Sequence, residues 1–333
     1  MMVKRMNLPG VLVTAGGLCL AVGCATMSDR APTPVTYGGR PCCRLANDTV
    51  ELVVSPELGR VVRYGYVGGT NVLWENPRAV ELAPKVAGWN NWGGDKVWPW
   101  PQACWQEVAG CSWPPPGDGV FPPHTVTPTT HGLRLVSAEI QGLGFRIVRD
   151  ITLASTGSRV TFRNRLEATG PVPTNSWAVW TITQTALPDA MLARLNRKAA
   201  QAIYTFAGHP PLPEPERHGR VLHFIGDPAG YGKSGFDADL LAARFGDVLF
   251  TQAILPSTSP GSYRPGDKAQ FYVDDPANPA RPPDVPLYLE IELTSPRRPV
   301  DAEGPVLAVE WELRRLTPGE RAPANLARLI ESL

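Results

Sequence analysis

The chain has 333 residues, 43% of them hydrophobic, with 32 glycines and 36 prolines. That length supports a large core with many turns, and proline at this density excludes long helices. The 32 basic and 31 acidic residues leave a net charge of +1, which gives no electrostatic footprint for nucleic acid, so none is expected as a partner.

Lys4 and Arg5 precede the apolar run Gly10 to Leu20. The run is too short to span a bilayer permanently, and it predicts a signal peptide over residues 1–23. Ala21-Val22-Gly23-Cys24 resembles the bacterial lipobox. The resemblance implies cleavage before Cys24 and lipidation of its sulfur, and hence a membrane partner reached through acyl chains. An ordinary signal peptide cut near Ala25 is the alternative, since small residues suit that cleavage too. No Asp follows Cys24 as an inner-membrane retention signal, so the lipoprotein rule points to the outer membrane, facing the periplasm. Residues 24–48 are then the lipidated cysteine and a tether, of which Ser28 to Gly39 holds two prolines and few bulky apolar residues.

Export puts the remaining cysteines in an oxidising compartment, where disulfides are expected. Cys104 and Cys111 enclose a short loop that a bond would clamp. Cys42 and Cys43 are adjacent and rarely bond each other without strain. The four permit three pairings, and the sequence leaves them open. No Cys or His spacing matches a zinc site; His209, His218 and His223 are scattered, and neither metal nor other cofactor is expected.

From Thr49 onward the chain reads as strand after strand. Thr49 to Val54 alternates, Arg60 to Tyr64 follows a turn, and Asn71 to Trp74 follows Gly68-Gly69. Next comes WNNWGGDKVWPWPQ, Trp89 to Gln102, which reads as a loop rimming a pocket, because Gly and Pro break ladders and Asn, Asp and Lys resist burial. Further strands are expected at Leu133 to Ile140, Phe145 to Leu153, Arg159 to Leu166, Trp177 to Thr185, Ala202 to Phe206 and Val221 to Ile225. Val248 to Leu255, Gln270 to Val273, Leu287 to Leu293 and Val306 to Leu313 complete the set. Only Asn325 to Leu333 has helical spacing, with Leu326, Leu329, Ile330 and Leu333 on one face. The fold class is all-β, an antiparallel sandwich with one short C-terminal helix, in a single domain over 49–333.

Ser55 to Val61, Asn71 to Asn76 and the segment WGGDKVWPWPQ, in that order, resemble the opening of galactose-mutarotase-like proteins, most of all an exported bacterial branch of that superfamily. The later Trp177 to Gln184 and Tyr288 to Pro296 match the same layout. The resemblance implies a β-supersandwich of two large facing sheets, with sugar bound on a sheet surface. Fold alone assigns no reaction.

Indole faces beside amide and charged groups suit a saccharide, which has apolar C–H faces and hydroxyl edges. The candidate binding set is Asn91, Trp92, Asp95, Lys96, Trp98 and Gln102, with Gly93-Gly94 letting backbone approach a ligand. The other reading is that Trp89, Trp98 and Trp100 plug one end of the sandwich. Alternation over Leu287 to Leu293 puts Tyr288, Glu290, Glu292 and Thr294 on one face, and likewise Trp180, Ile182 and Gln184, so Trp180 and Gln184 join the candidates. The family resemblance implies a late-strand Glu as base, first Glu292 and then Glu290, with a His as acid. His131-Gly132-Leu133-Arg134 is similar to a segment of hexose-phosphate mutarotases, which makes His131 the candidate acid, although Thr129 to Gly132 also reads as a turn. No Asn-x-x-His motif of the standard galactose mutarotases is present. Gly226 to Ser234, GDPAGYGKS, has the wrong spacing for a phosphate loop, and Gly230 to Gly235 reads as a flexible turn. There is no Gly-x-Ser-x-Gly elbow. Two functions follow: a lipoprotein binding a carbohydrate in a Trp-lined cleft, or a sugar-active enzyme of the aldose 1-epimerase kind. A scaffold with no ligand is the third.

Overall fold

The computed structural model describes residues 31–79, 91–110, 124–140, 142–171, 176–196, 202–226, 230–278, 281–301 and 303–333. Cys24, Trp89 and Cys111 lie outside them, and with them the lipidation site and the expected Cys104–Cys111 clamp. Among the described residues the strands form two ten-stranded sheets. In spatial order the first holds Thr33–Tyr37, Arg40–Ala46, Val50–Ser55, Arg60–Tyr66, Asp95–Trp100, Ala178–Ala186, Tyr288–Thr294, Ala269–Val273, Gly232–Phe236 and Tyr204–Thr205. The second holds Glu216–His218, Val221–Ile225, Ala190–Leu195, Ala238–Phe245, Val248–Ile254, Val306–Arg315, Val160–Ala168, Phe145–Leu153, Gly132–Val136 and Thr125–Thr129. The pairings at the centre of each sheet are antiparallel, as the turn-rich alternation predicts.

A main core fills the space between the sheets, with Leu52, Val97, Ile151, Phe162, Leu289, Ile291 and Phe271 among its members. The helix Pro323–Ser332 buries Leu326, Ala327 and Ile330 against Leu192, Leu240 and Leu249 of the second sheet, with Leu329 half-buried beside them; Leu333, expected on that face, is exposed past the helix end. Proline at its first turn costs no hydrogen bond.

Four local readings are corrected. Residues 33–46, taken as tether, form two strands, with Pro34 opposite Cys43 at the sheet edge, where a missing N–H is tolerated. Cys42 and Cys43 alternate across one of these strands and are not disulfide-bonded. Gly232–Phe236, taken as a flexible turn, pairs with Ala269–Val273 over its full length.

The largest correction concerns Asp95–Trp100, read as a loop and found as a central strand. Pro99 lies opposite Val179. Val179 directs its own N–H and C=O to Ser295 on the other side, at 2.9 Å each, so the Pro99–Val179 pair carries no ladder bond. The nitrogen of Pro99 instead faces the strand Arg60–Tyr66, whose pairing with this one ends at Val61–Asp95. Its missing donor therefore breaks nothing, and its carbonyl accepts from Trp105 Nε1 at 3.0 Å.

Candidate functional site

Register fixes which side chains share a surface. Lys96 lies opposite Ile182, Ile182 opposite Glu292, Gln184 opposite Glu290, and Lys233 and Glu290 both opposite Tyr272. Directly opposed residues point the same way. Lys96, Trp98, Trp180, Gln184, Glu290, Glu292 and Lys233 therefore occupy one face of the first sheet, turned away from the second. The predicted grouping of Glu290 with Glu292, and of Trp180 with Gln184, is met on that face.

What those residues do there differs from expectation. Glu292 is fully buried. Lys233 Nζ donates to both of its oxygens at 2.8 Å, and Trp180 Nε1 donates to Oε2 at 2.8 Å. Burial pushes its carboxyl above the ordinary carboxylate range, opposed by the Lys233 ammonium. Glu290 accepts from Gln184 Nε2 at 2.8 Å and lies 3.7 Å from Lys96 Nζ, which sits 4.2 Å above the Trp98 ring. Trp98 is buried against Trp105 and Trp180 in edge contacts. Lys96 and Trp98 thus support the face from within, and Trp98 takes the packing role that was the alternative for it.

An open cleft of about 500 Å³ adjoins this network, lined by Trp100, Gln102, Gln106, Phe206, His209 and Lys233 with Ala103 and Ala207. Trp100 continues the Lys96, Trp98 alternation by one step, so counting by twos finds it. After a cis Trp100–Pro101 bond the helix Ala103–Ala109 carries Gln106 to the same rim. Trp100 Nε1 donates to Asp267 at 3.2 Å, and its ring meets Trp180 edge-on at 4.9 Å. Lys233 reaches the cleft between the rings of Trp180 and Phe206, 5.1 and 5.4 Å from their centres. The His209 ring contacts Tyr272 edge-on, and partial burial, then the Lys233 charge, hold its pKa below the ordinary histidine value. His209, Phe206 and Lys233 were missed by sequence reasoning. Lys233 stood inside the stretch dismissed as a turn, and nothing local ties Phe206 or His209 to Trp100.

Other candidates fall elsewhere. Asp95 points into the sandwich, where Arg149 of the second sheet pairs with it and Thr183 Oγ1 donates to it at 2.8 Å. Burial raises its carboxyl, with Arg149 opposing. Asn91 accepts from Asn76 through its backbone at 2.9 Å. Trp92 lies under Arg40, 4.2 Å from the ring, and lines a separate recess of about 90 Å³ with Tyr37 and Glu75. His131 is exposed in the turn between Thr125–Thr129 and Gly132–Val136, on the outermost hairpin of the second sheet. The Gly93-Gly94 pair answers to packing: a Cβ on Gly94 would lie 2.2 Å from the Val61 carbonyl, and on Gly93 2.1 Å from that of Trp74.

No protein-family model matches the chain, and no curated protein does. Solved structures do. The galactose mutarotase-like protein of Lactobacillus casei superposes with a TM-score of 0.53 at 10% identity, over 82% of this chain and 100% of that one. The mutarotase candidate YeaD of Salmonella typhimurium gives 0.53 at 10% identity, over 86% and 94%. Slr1438 of Synechocystis gives 0.51 at 12% identity, over 86% and 98%. At such identities the likeness is one of architecture, spanning nearly the whole of each neighbour, and on that ground this chain has the galactose-mutarotase-like fold.

Proposed function

We propose that the chain binds a saccharide in the cleft walled by Trp100 and Phe206. The observation that carries this reading is the composition of that cleft. Two aromatic rings offer C–H contact, while Gln102, Gln106, His209 and Lys233 offer hydrogen bonds. Its volume of about 500 Å³ is in the range of small-ligand sites. Lys233 already has a buried carboxylate partner in Glu292, so the cleft carries no large surplus of charge and suits a neutral sugar. Titration of the soluble domain with neutral and acidic mono- and oligosaccharides should find a neutral ligand. Trp100→Ala should weaken it about ten-fold or more, an aromatic contact of this kind contributing about 1 kcal/mol beyond its area. Unchanged affinity in that variant, or no saccharide bound at all, would refute the reading.

The sugar-active reading has one observation in its favour, an imidazole lining the same cleft as Lys233. The acid would be His209, since His131 is on the far sheet. Polarimetry of aldose anomerisation with His209→Asn tests it: a rate above background that the variant removes would establish the enzyme.

Lys4, Arg5, the apolar run and Ala21-Val22-Gly23-Cys24 support a lipid anchor on Cys24, with Ala25 favouring the outer membrane. In cells, Cys24→Ala should lose incorporation of labelled palmitate and leave the membrane fraction. Label retained in that variant would exclude the anchor.

A further inference from the structure

A second group of chemistry-bearing side chains lies away from the sugar cleft, on the hairpin at the edge of the second sheet. Glu216 lies opposite His223, and His218 opposite Val221, across the turn Gly219-Arg220. Alternation puts Glu216 and His218 on one face, and the cross-strand pairing brings His223 to it. The ligating atoms of all three lie within 4.8 Å of one another. Glu216 Oε2 is between the rings, 3.3 Å from His218 Nε2 and 3.6 Å from His223 Nδ1. Metal–ligand bonds of about 2.0–2.1 Å in a tetrahedron place neighbouring ligand atoms about 3.3 Å apart, so these two separations are near those of an assembled site.

A second observation points to a ligand. The His223 side chain is 6% exposed, and its Nδ1 makes no hydrogen bond of normal length, Glu216 Oε2 standing off at 3.6 Å. A buried polar atom left this way costs free energy unless something completes it. Glu216 and His223 also line a cavity of about 240 Å³, walled largely by Leu187, Met191, Leu212 and Phe224.

We infer that Glu216, His218 and His223 form a three-ligand site for a divalent transition metal of the zinc class, with its fourth position open toward this apolar cavity. Two imidazoles and one carboxylate with a vacant position is a donor set that zinc accepts. His218 and Glu216 are the adjustable partners, 31% and 54% exposed, and can close on an ion held by the fixed His223. Arg244 is a neighbouring cation that opposes a metal, and its charge is met by Asp189 at 3.1 Å.

The test is calorimetric titration of ZnCl2 into metal-stripped, untagged full chain, with Co2+ substitution read by its visible spectrum. One Zn2+ per chain and the intense bands of four-coordinate Co2+ are expected. His218→Ala and Glu216→Gln, both at solvent-accessible positions of a short edge hairpin, should each weaken zinc by at least about 100-fold and remove the bands, a ligand counting for more than the 10–100-fold of an outer-sphere partner. Cys42→Ser with Cys43→Ser should leave both signals unchanged. Absence of stoichiometric zinc, zinc binding that survives the His218 and Glu216 variants, or binding that disappears with the two cysteines would each overturn the site.

Discussion

Arg149→Met is expected to lower the free energy of unfolding by about 3–5 kcal/mol, the cost of leaving a buried charge unpaired. Asp95 and Arg149 are each 1% exposed, and the pair bridges the two sheets inside the sandwich. Arg149 also donates to Asn164 at 3.0 Å and to the backbone of Gly59 at 3.2 Å, so one guanidinium ties three segments together. Removing it leaves the Asp95 carboxylate with the Thr183 hydroxyl and the charge of the buried Arg60 as its remaining support. The double variant Asp95→Val with Arg149→Met should recover most of the loss, because an apolar pair of similar volume avoids the desolvation of both ions. Asn164 and Thr183 would retain a residual cost. Urea denaturation of the two singles and the double gives the coupling directly. Additive losses, or a single-variant cost below about 1 kcal/mol, would show that the pair is not closed off from water. Asp95 faces away from the cleft beside Trp100, so the double variant should keep whatever saccharide affinity the unaltered chain has.

The face of the first sheet was legible because it rests on period two alone. Leu287, Leu289, Ile291 and Leu293 can satisfy the core from only one side, which commits Glu290 and Glu292 to the other; Trp180 and Gln184 follow by the same counting. Asp95–Trp100 was not legible. Its composition argues for a loop, and what makes it a strand is non-local: the neighbouring strand diverges beside Pro99, Arg149 arrives from the other sheet for Asp95, and Glu290 receives Lys96. Lys233 was hidden for a related reason, since glycines flank it and only pairing with Ala269–Val273 turns that flexible composition into a strand. Glu216, His218 and His223 look scattered by spacing yet meet across a hairpin; a pairing hypothesis for the turn Gly219-Arg220 would have brought them together. Thr33 to Ala46 shows the limit of composition in the other direction, as proline at a sheet edge does not prevent pairing.

The Lys233–Glu292 pair decides whether the proposed sugar cleft is a binding site resting on a structural carboxylate or an active site with Glu292 as base. Lys233→Met should cost about 3–5 kcal/mol, because Glu292 is then buried with Trp180 Nε1 as its remaining side-chain donor. The cost should depend on pH, and its sign is fixed by the direction of the shift. Burial already raises the folded-state pKa of Glu292 above its unfolded value, and loss of the ammonium raises it further. The folded variant then binds more protons than the unfolded chain between those two pKa values, so its stability is greatest at low pH and falls as pH rises through that window. The deficit against the unaltered protein should accordingly be larger at pH 8 than at pH 5. Adding Glu292→Gln to Lys233→Met removes the buried charge and should restore stability. It should not restore saccharide affinity, because the donor that reaches the cleft is still missing. Glu292→Gln alone separates the two roles: a general base lost from a working enzyme lowers turnover by about 10²–10⁴. A carboxylate that only orients Lys233 weakens binding modestly and leaves any anomerisation rate unchanged. A pH-independent deficit in Lys233→Met, or a double variant that regains affinity along with stability, would show that Lys233 is not the link between the buried carboxylate and the sugar.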